Sequence, residues 1–402
     1  MTQPEHEFIK VRTKKLEALL ELGIDPYPST FNRTHSSSEA IEYYLQCEED
    51  SVEPEGEISI AGRIMSRRGM GKASFLDIRD GSGRIQVMMR SNVLGDNYTI
   101  LDNLDIGDWI GVKGTLFRTR TEEITLQTNK FTILCKSLRP LPEKWHGLTD
   151  VETRYRQRYL DLIASDEAIN IAKSRSLLVS TIRRFMEDRG FIEVETPMLV
   201  PVAAGGMAHP FTTHHNALNR DLYLRIATEL HLKRLVGGGL EKVFEIGRVF
   251  RNEGIDQQHN PEFTTMESYE AFADYNDVMV MVENLVSQSA IAINQTAKVE
   301  FGDSTLDFTP PWPRIDLRTK IIDETGIDFL EHNNSDSLKN AMQAIGINVS
   351  QQVSFAGLLD KLISDKIEPT LTQPCFLKDY PVAMSPLAKK TSSNPKMVER
   401  FE

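Results

Sequence analysis

The sequence predicts an α+β chain in which a small five-stranded β-barrel precedes a larger antiparallel sheet flanked by helices. Three observations carry that expectation. Between Glu57 and Leu138, five short alternating runs are separated by turn residues. Ala168–Arg189 repeats apolar residues at helical spacing. Val243–Glu270 reads as two alternating strands joined by a polar loop.

Composition bounds the class. With 402 residues the chain has room for two or three domains, each able to bury a core. Its 40% hydrophobic and 26% charged residues are ordinary for a soluble globular protein. Cys47, Cys135 and Cys375 lie far apart without a CxxC, which argues for a reducing compartment and against a disulfide frame or a cysteine zinc site. No apolar run reaches membrane-spanning length and no signal-peptide core opens the chain, so the expectation is a cytoplasmic protein without a membrane partner. The net charge of −12 counts against nucleic-acid binding by the whole surface. Glu57–Arg139, however, holds 13 Lys/Arg against 9 Asp/Glu, so an anionic partner could be met locally.

Taken in order, Glu5–Leu22 is expected as an amphipathic helix with Phe8, Val11, Leu16, Leu19, Leu20 and Leu22 mostly on one stripe. Lys10, Arg12, Lys14 and Lys15 fall on its other face, read as solvated or as an accessory RNA contact. Residues 1–56 form a helical extension and 57–139 the barrel. Its expected strands are Ile58–Ser66, Ala73–Arg79, Arg84–Arg90, Trp109–Arg118 and Ile124–Leu134. Five strands in so short a span fit an OB-fold, whose strand face and loops bind oligonucleotides. Holding single-stranded bases takes an aromatic platform, edge-reading polar groups and cations for phosphate. Phe75, Gln86, Glu123 and Arg68 supply those types, although from the residues alone Phe75 reads equally as core. Gly69–Lys72 is a barrel loop rather than a phosphate loop, since Ala73 stands where Ser or Thr should be.

A linker is expected at 140–153, most clearly Pro140–Gly147, and a second domain at 154–402 that opens with Arg154–Ile163. The Ala168–Arg189 helix is capped by Gly190, and the following FIEVETP strand ends at Pro197. Pro201–Phe211 is a small-residue loop. A strand (LYLRIA) and a helix starting at Thr228–Glu229 follow, with Thr228 as N-cap and Gly237–Gly239 as the stop. In the hairpin, pairing Arg251 with Phe263 sets Gly247 opposite Glu267 and Glu245 opposite Tyr269. One face then carries Glu245, Gly247, Arg251, Phe263, Glu267 and Tyr269. An arginine, carboxylates, aromatics and a gap above a glycine make poor core; they suit a small zwitterion and an anionic phosphate. His214–His215 lack a third ligand at recognisable spacing, so no zinc is expected.

These same residues carry a resemblance. FRNEG, HNPEFT, Glu267 and Tyr269 resemble motif 2 of the class II aminoacyl-tRNA synthetases, and among them most of all the lysyl-tRNA synthetases; the similarity runs over nearly the whole chain. The resemblance implies an anticodon-binding OB-fold followed by a class II catalytic domain. It implies an activity too: L-lysine is activated with ATP and Mg, then transferred to tRNA(Lys). It gives Arg251 the catalytic role, and ATP the partners Arg251, Asn252, Glu253, His259, Asn260 and Phe263. Lysine would meet Gly205, Glu229, Glu267 and Tyr269; which glutamate takes which ammonium stays open, with Glu229 placed on the α-ammonium. The anticodon would meet Arg68, Phe75, Gln86 and Glu123, with Phe75 stacking. RYRQRYLDLI resembles the start of the catalytic domain in the lysine, aspartate and asparagine subclass. The helix–glycine–strand–proline of Ala168–Pro197 resembles motif 1 and implies a homodimer. One departure is His209, where lysyl enzymes usually have Arg or Lys.

Converging carboxylates favour a substrate with two ammonium groups over aspartate or asparagine. The glycine-rich motif 3 and the family's magnesium carboxylates find no counterpart up to Glu402, so no metal ligand is expected within these residues and a C-terminally incomplete, inactive copy is one expectation. A truncated RNA-binding barrel protein and, less favoured by the intact barrel, a lysyltransferase paralogue are the alternatives.

Overall fold

A computed structural model describes residues 3–141, 148–206, 208–256, 259–332, 334–349 and 354–402; positions 142–147 of the expected linker lie outside the described residues. The chain forms two compact units, Met1–Ile169 and Asn170–Glu402.

In the first unit, helices α1 (Gln3–Glu21) and α2 (Ser37–Glu49) precede five strands: β1 (Ile58–Met70), β2 (Ala73–Arg79), β3 (Arg84–Arg90), β4 (Trp109–Arg118) and β5 (Ile124–Cys135). They close into a barrel in the order β1-β2-β3-β5-β4, with β3 and β5 parallel. Alternation drives closure. Leu76 and Ile78 point inward from β2, Ile85 and Val87 from β3, and Ile110 and Val112 from β4, into one apolar core. Four strands keep the expected bounds or gain one residue. β1 runs on to Met70 because a register shift between Ile64 and Ser66 lets it continue along β2. At a second shift, between Lys113 and Gly114, a Cβ on Gly114 would lie 1.8 Å from the Gln127 carbonyl oxygen, so only glycine fits.

Two N-terminal features differ from expectation. The cationic face of α1 is not simply solvated: Arg12 is buried and donates to the carbonyls of Ile106, Ser137 and Arg139, while Lys15 pairs with Asp105 at 2.6 Å. That anchoring turns much of the apolar stripe outward, so Leu19 is buried but Phe8, Val11, Leu20 and Leu22 are exposed. Helix α2 was not expected, yet its signal is local: Ser36 and Glu39 form a capping box. A four-residue helix, α3 (Ser91–Leu94), follows β3. Helices α4 (Val151–Arg156) and α5 (Arg158–Ala164) then share buried Asp161, which accepts from Arg154 at 3.0 Å and Arg158 at 2.6 Å.

Helix α6 (Asp166–Glu187) leads into the second unit. At its C-terminal turns Phe185 and Met186 pack with Phe191, Phe244, Met281 and Leu285, whereas Ile171 and Leu177 are exposed. β6 (Ile192–Glu193) pairs in parallel with β10 (Lys242–Phe250), which pairs antiparallel with β11 (Glu262–Glu270). β7 (Leu199–Val200), β8 (Thr212–His215) and β9 (Arg220–Leu224) make a second sheet, and α7 (Glu229–Gly237) connects β9 to β10. Helix α8 (Tyr275–Asn294) is followed by a two-stranded and a three-stranded sheet with helices around a separate apolar core that includes Leu317, Phe329, Leu358 and Val398.

Glu283, buried on α8, accepts from Arg314 at 2.6 Å and from the Trp312 N–H at 2.9 Å. The Arg314 bond foremost, helped by the Trp312 amide and against the cost of burial, holds its carboxyl below the usual range. A lowered folded pKa contributes stability that is present above the unfolded value and lost as pH falls through the folded one. Glu283→Gln is therefore expected to cost about 3 kcal/mol at neutral pH and to flatten the acid limb of a thermal-melt series. An unchanged limb would contradict this.

Candidate functional site

The hairpin places its residues by period 2, but in a different register from the expected one. Glu245 faces Glu267, Gly247 faces Thr265, and Val249 faces Phe263. Arg251 stands against Pro261, whose carbonyl accepts the Arg251 N–H at 2.8 Å. Proline has no N–H to return, so the ladder stops there. The slip is two residues. Because faces repeat every two, Glu245, Gly247, Arg251, Phe263, Glu267 and Tyr269 still share one face.

A buried pair floors that face. Arg225, one residue past β9, is 1% exposed and donates to Glu245 Oε1 at 2.6 Å, to the Thr196 carbonyl at 3.0 Å and, through Nε, to the Arg248 carbonyl at 2.8 Å. Glu245 Oε2 accepts from the Thr196 hydroxyl at 2.7 Å. The guanidinium lies over Gly247, where a Cβ would sit 2.4 Å from Nη2 and 3.1 Å from Glu245 Oε1. This explains the glycine gap in the face. The sequence reading missed Arg225 and Thr196; the available signal was an arginine inside the otherwise apolar LYLRIA run.

At the β11 end of the face, four expected residues converge. Glu267 accepts from the Thr228 N–H at 3.1 Å at the start of α7. Thr228 holds the N-cap position, but its buried hydroxyl makes no capping bond; the expected cap is corrected, and a carboxylate from the neighbouring strand serves this helix start. Gly205 has φ +94°, and a Cβ there would meet the Ala227 Cβ at 2.8 Å and the Glu229 Cβ at 3.3 Å, so its backbone lies against Glu229. Burial first, then the charges of Glu267 and Glu229 and a hydrogen bond to Glu267, push the Tyr269 hydroxyl well above its usual value. It remains a protonated donor throughout the physiological range. Lys233, which the sequence reading did not single out, pairs with Glu229 at 2.5 Å.

At the other end, the Arg251 guanidinium carbon lies 5.4 Å from the Phe263 ring centroid, and its buried Nε has no partner among the described residues. The Asn252 N–H donates to the His209 carbonyl at 2.7 Å, tying the small-residue loop to the hairpin loop. Asn252, Glu253, His259 and Asn260 are exposed, and the His259 ring is held by Asp256 at 2.8 Å. Met207, Gln257 and Gln258 in these two loops lie outside the described residues.

On the barrel, β2 alternates buried and half-buried residues, and Phe75 is on its outer, half-buried side rather than in the core. Cross-strand partners place exposed Arg68 opposite Phe75, and Gln86 opposite Asp77 and Thr125. The Thr125 hydroxyl donates to Gln86 at 3.0 Å and to the Glu123 carbonyl at 3.2 Å. All four expected residues thus lie on or beside the β1–β2–β3–β5 surface. His214 bonds Asp221, and His215 accepts the Leu218 N–H. Among the described residues no group of three or more His, Cys, Asp or Glu is placed to hold a metal ion.

Comparison with known proteins finds matches for both parts of the chain. Residues 150–402 match the family described as tRNA synthetases class II (D, K and N), and residues 58–134 match the OB-fold nucleic acid binding domain. The chain is 51% identical over 400 residues to a lysine–tRNA ligase of Dehalococcoides mccartyi, covering 99% of this chain and 80% of the relative. It is 48% identical over 400 residues to that of Pelotomaculum thermopropionicum (99% and 78% covered). It is 45% identical over 406 residues to that of Staphylococcus aureus (100% and 82% covered).

Gly247→Ala should displace Arg225 and Glu245 together, lowering thermal stability by about 2–3 kcal/mol. An unchanged melting temperature would show that the guanidinium does not depend on the bare strand.

Proposed function

The chain belongs to the class II tRNA synthetases (D, K and N), and from that premise we propose that it is a lysine–tRNA ligase whose catalytic face is the β10–β11 surface. The observation that carries the lysine assignment is the convergence of Glu229, Glu267, Tyr269 and Gly205 at one end of a face whose other end holds Arg251 and Phe263. From Phe263 to Tyr269 is six residues of strand, about 20 Å, room for an amino acid joined to a nucleotide.

The reaction has two steps. A lysine carboxylate oxygen attacks the ATP α-phosphorus and pyrophosphate leaves. A ribose hydroxyl of the tRNA then attacks the acyl carbon, and AMP leaves. Such transfers ask the protein mainly for positioning and charge neutralisation. Arg251 meets carboxylate and α-phosphate with a planar cation that never deprotonates. Phe263 stacks on adenine, Glu253 accepts from its exocyclic amine, and Asn252, His259 and Asn260 line the phosphate side. Glu229 with the Gly205 carbonyl takes the α-ammonium; Glu267 with Tyr269 takes the ε-ammonium. Aspartate or asparagine would leave the carboxylates unpaired, at a cost of about 1–3 kcal/mol or more for each. Magnesium travels with ATP as a substrate complex.

On the barrel, Phe75 stacks an anticodon base, while Arg68, Gln86 and Glu123 read base edges of tRNA(Lys). Exposed Ile171 and Leu177 on α6, with Met198, Leu199 and Val202 beyond β6, support a homodimer through the α6–β6 segment. The working compartment is the cytoplasm; no helix among the described residues is long and apolar enough to cross a membrane.

Lysine-dependent pyrophosphate exchange with ATP on the full-length protein tests the reading. Exchange is expected with lysine and not with aspartate or asparagine, and Arg251→Ala should lower kcat by about 10²–10³-fold. Equal exchange with aspartate, or none with any amino acid, would overturn it. Phe75→Ala should raise the KM for tRNA about tenfold and leave exchange untouched; an unchanged tRNA KM would remove Phe75 from the anticodon site.

A further inference from the structure

Lys233 lies one turn beyond Glu229 on α7, and its ammonium reaches Glu229 Oε1 at 2.5 Å. Pairs at this spacing are common on helices and contribute only a few tenths of a kcal/mol. Two further distances set this one apart. The same ammonium lies 5.8 Å from the Tyr269 ring centroid, so it touches both α7 and β11 residues of the amino-acid pocket. The Glu229 carboxylate is also divided. While Oε1 is taken by Lys233, Oε2 lies only 3.6 Å from where a Gly205 Cβ would stand. One oxygen is thus anchored on the helix and the other is turned to the loop.

Glu267 needs no such help, because the Thr228 N–H already fixes it. Glu229 has no backbone donor among its described partners, and without Lys233 its side chain would be free to swing.

We propose that Lys233 is a positioning residue of the amino-acid pocket, holding one oxygen of Glu229 so that the other is presented beside Gly205 to the substrate ammonium. This inference rests on the reading of Glu229 as a lysine-binding residue. Lys233 forms and breaks no bond in the reaction. Its effect falls on ground-state and transition-state binding of the amino acid alike, so it moves KM for lysine and spares kcat.

Pyrophosphate exchange on full-length wild type, Lys233→Met, Lys233→Arg and Glu229→Gln tests it. Lys233→Met should raise the lysine KM about tenfold, with kcat and the ATP KM within about twofold, and Lys233→Arg should recover most of the loss because its cation can reach the same oxygen. A lysine KM that stays put in Lys233→Met but rises in Glu229→Gln would overturn the proposal alone, leaving an ordinary helix-surface pair. A lysine KM unchanged in both would overturn the reading of Glu229 and the proposal with it. A Lys233→Met defect that falls equally on lysine, ATP and kcat would also overturn it, as general damage to the helix.

Discussion

The proposed catalytic face depends on one buried ion pair. Arg225 and Glu245 meet at 2.6 Å under the bare strand at Gly247, and the arginine's remaining bonds run to Thr196 and the Arg248 carbonyl. Its own backbone donates to Met198 and accepts from Phe250, so one residue fastens the β6–β7 connection, the end of β9 and the hairpin strand β10. Desolvating two charges roughly cancels their attraction, so this pair adds little net stability, whereas removing either partner costs about 3–5 kcal/mol. Its value is geometric. With Arg225 fixed, the chain leaves β9 in the direction that starts α7 with Thr228 against Glu267, and the amino-acid pocket follows from that start.

Charge then divides the labour. One end of the face is acidic: burial first, and then the charges of Glu267 and Glu229, keep the Tyr269 hydroxyl protonated. The other end is cationic at Arg251, whose guanidinium lies over Phe263. In the proposed reading, a doubly ammonium-bearing amino acid and a polyphosphate take opposite ends of one strip of sheet, with their reacting atoms meeting between. The barrel's proposed task is a separate one, meeting an anionic tRNA on a chain whose net charge is −12. Arg68 is exposed opposite half-buried Phe75, and only the local field matters within a Debye length of about 8–10 Å.

Much of this was legible because strand period is robust. The hairpin register moved by two residues, yet every face assignment survived, since only an odd slip exchanges the faces. The barrel strands were legible for the same reason, but which side of β2 Phe75 takes was not, because alternation alone does not say which set of residues faces the core. What stayed hidden were long-range polar pairings. Nothing in LYLRIA says that its arginine is buried against a glutamate twenty residues on, and nothing in the first helix says that Arg12 is consumed by three barrel-unit carbonyls while Phe8 and Val11 turn outward. Helix α2 was missed although its Ser36/Glu39 capping box is written in the sequence.

In the proposed site, two carboxylates at one end of the hairpin face select a substrate carrying two ammonium groups. Calorimetric titration of the full-length protein with L-lysine and with L-norleucine, which keeps the α-ammonium and the aliphatic chain but lacks the ε-ammonium, tests it most directly. The account predicts that norleucine binds about a hundredfold more weakly, because Glu267 and Tyr269 are then buried without their partner. Equal affinity for the two amino acids would contradict it.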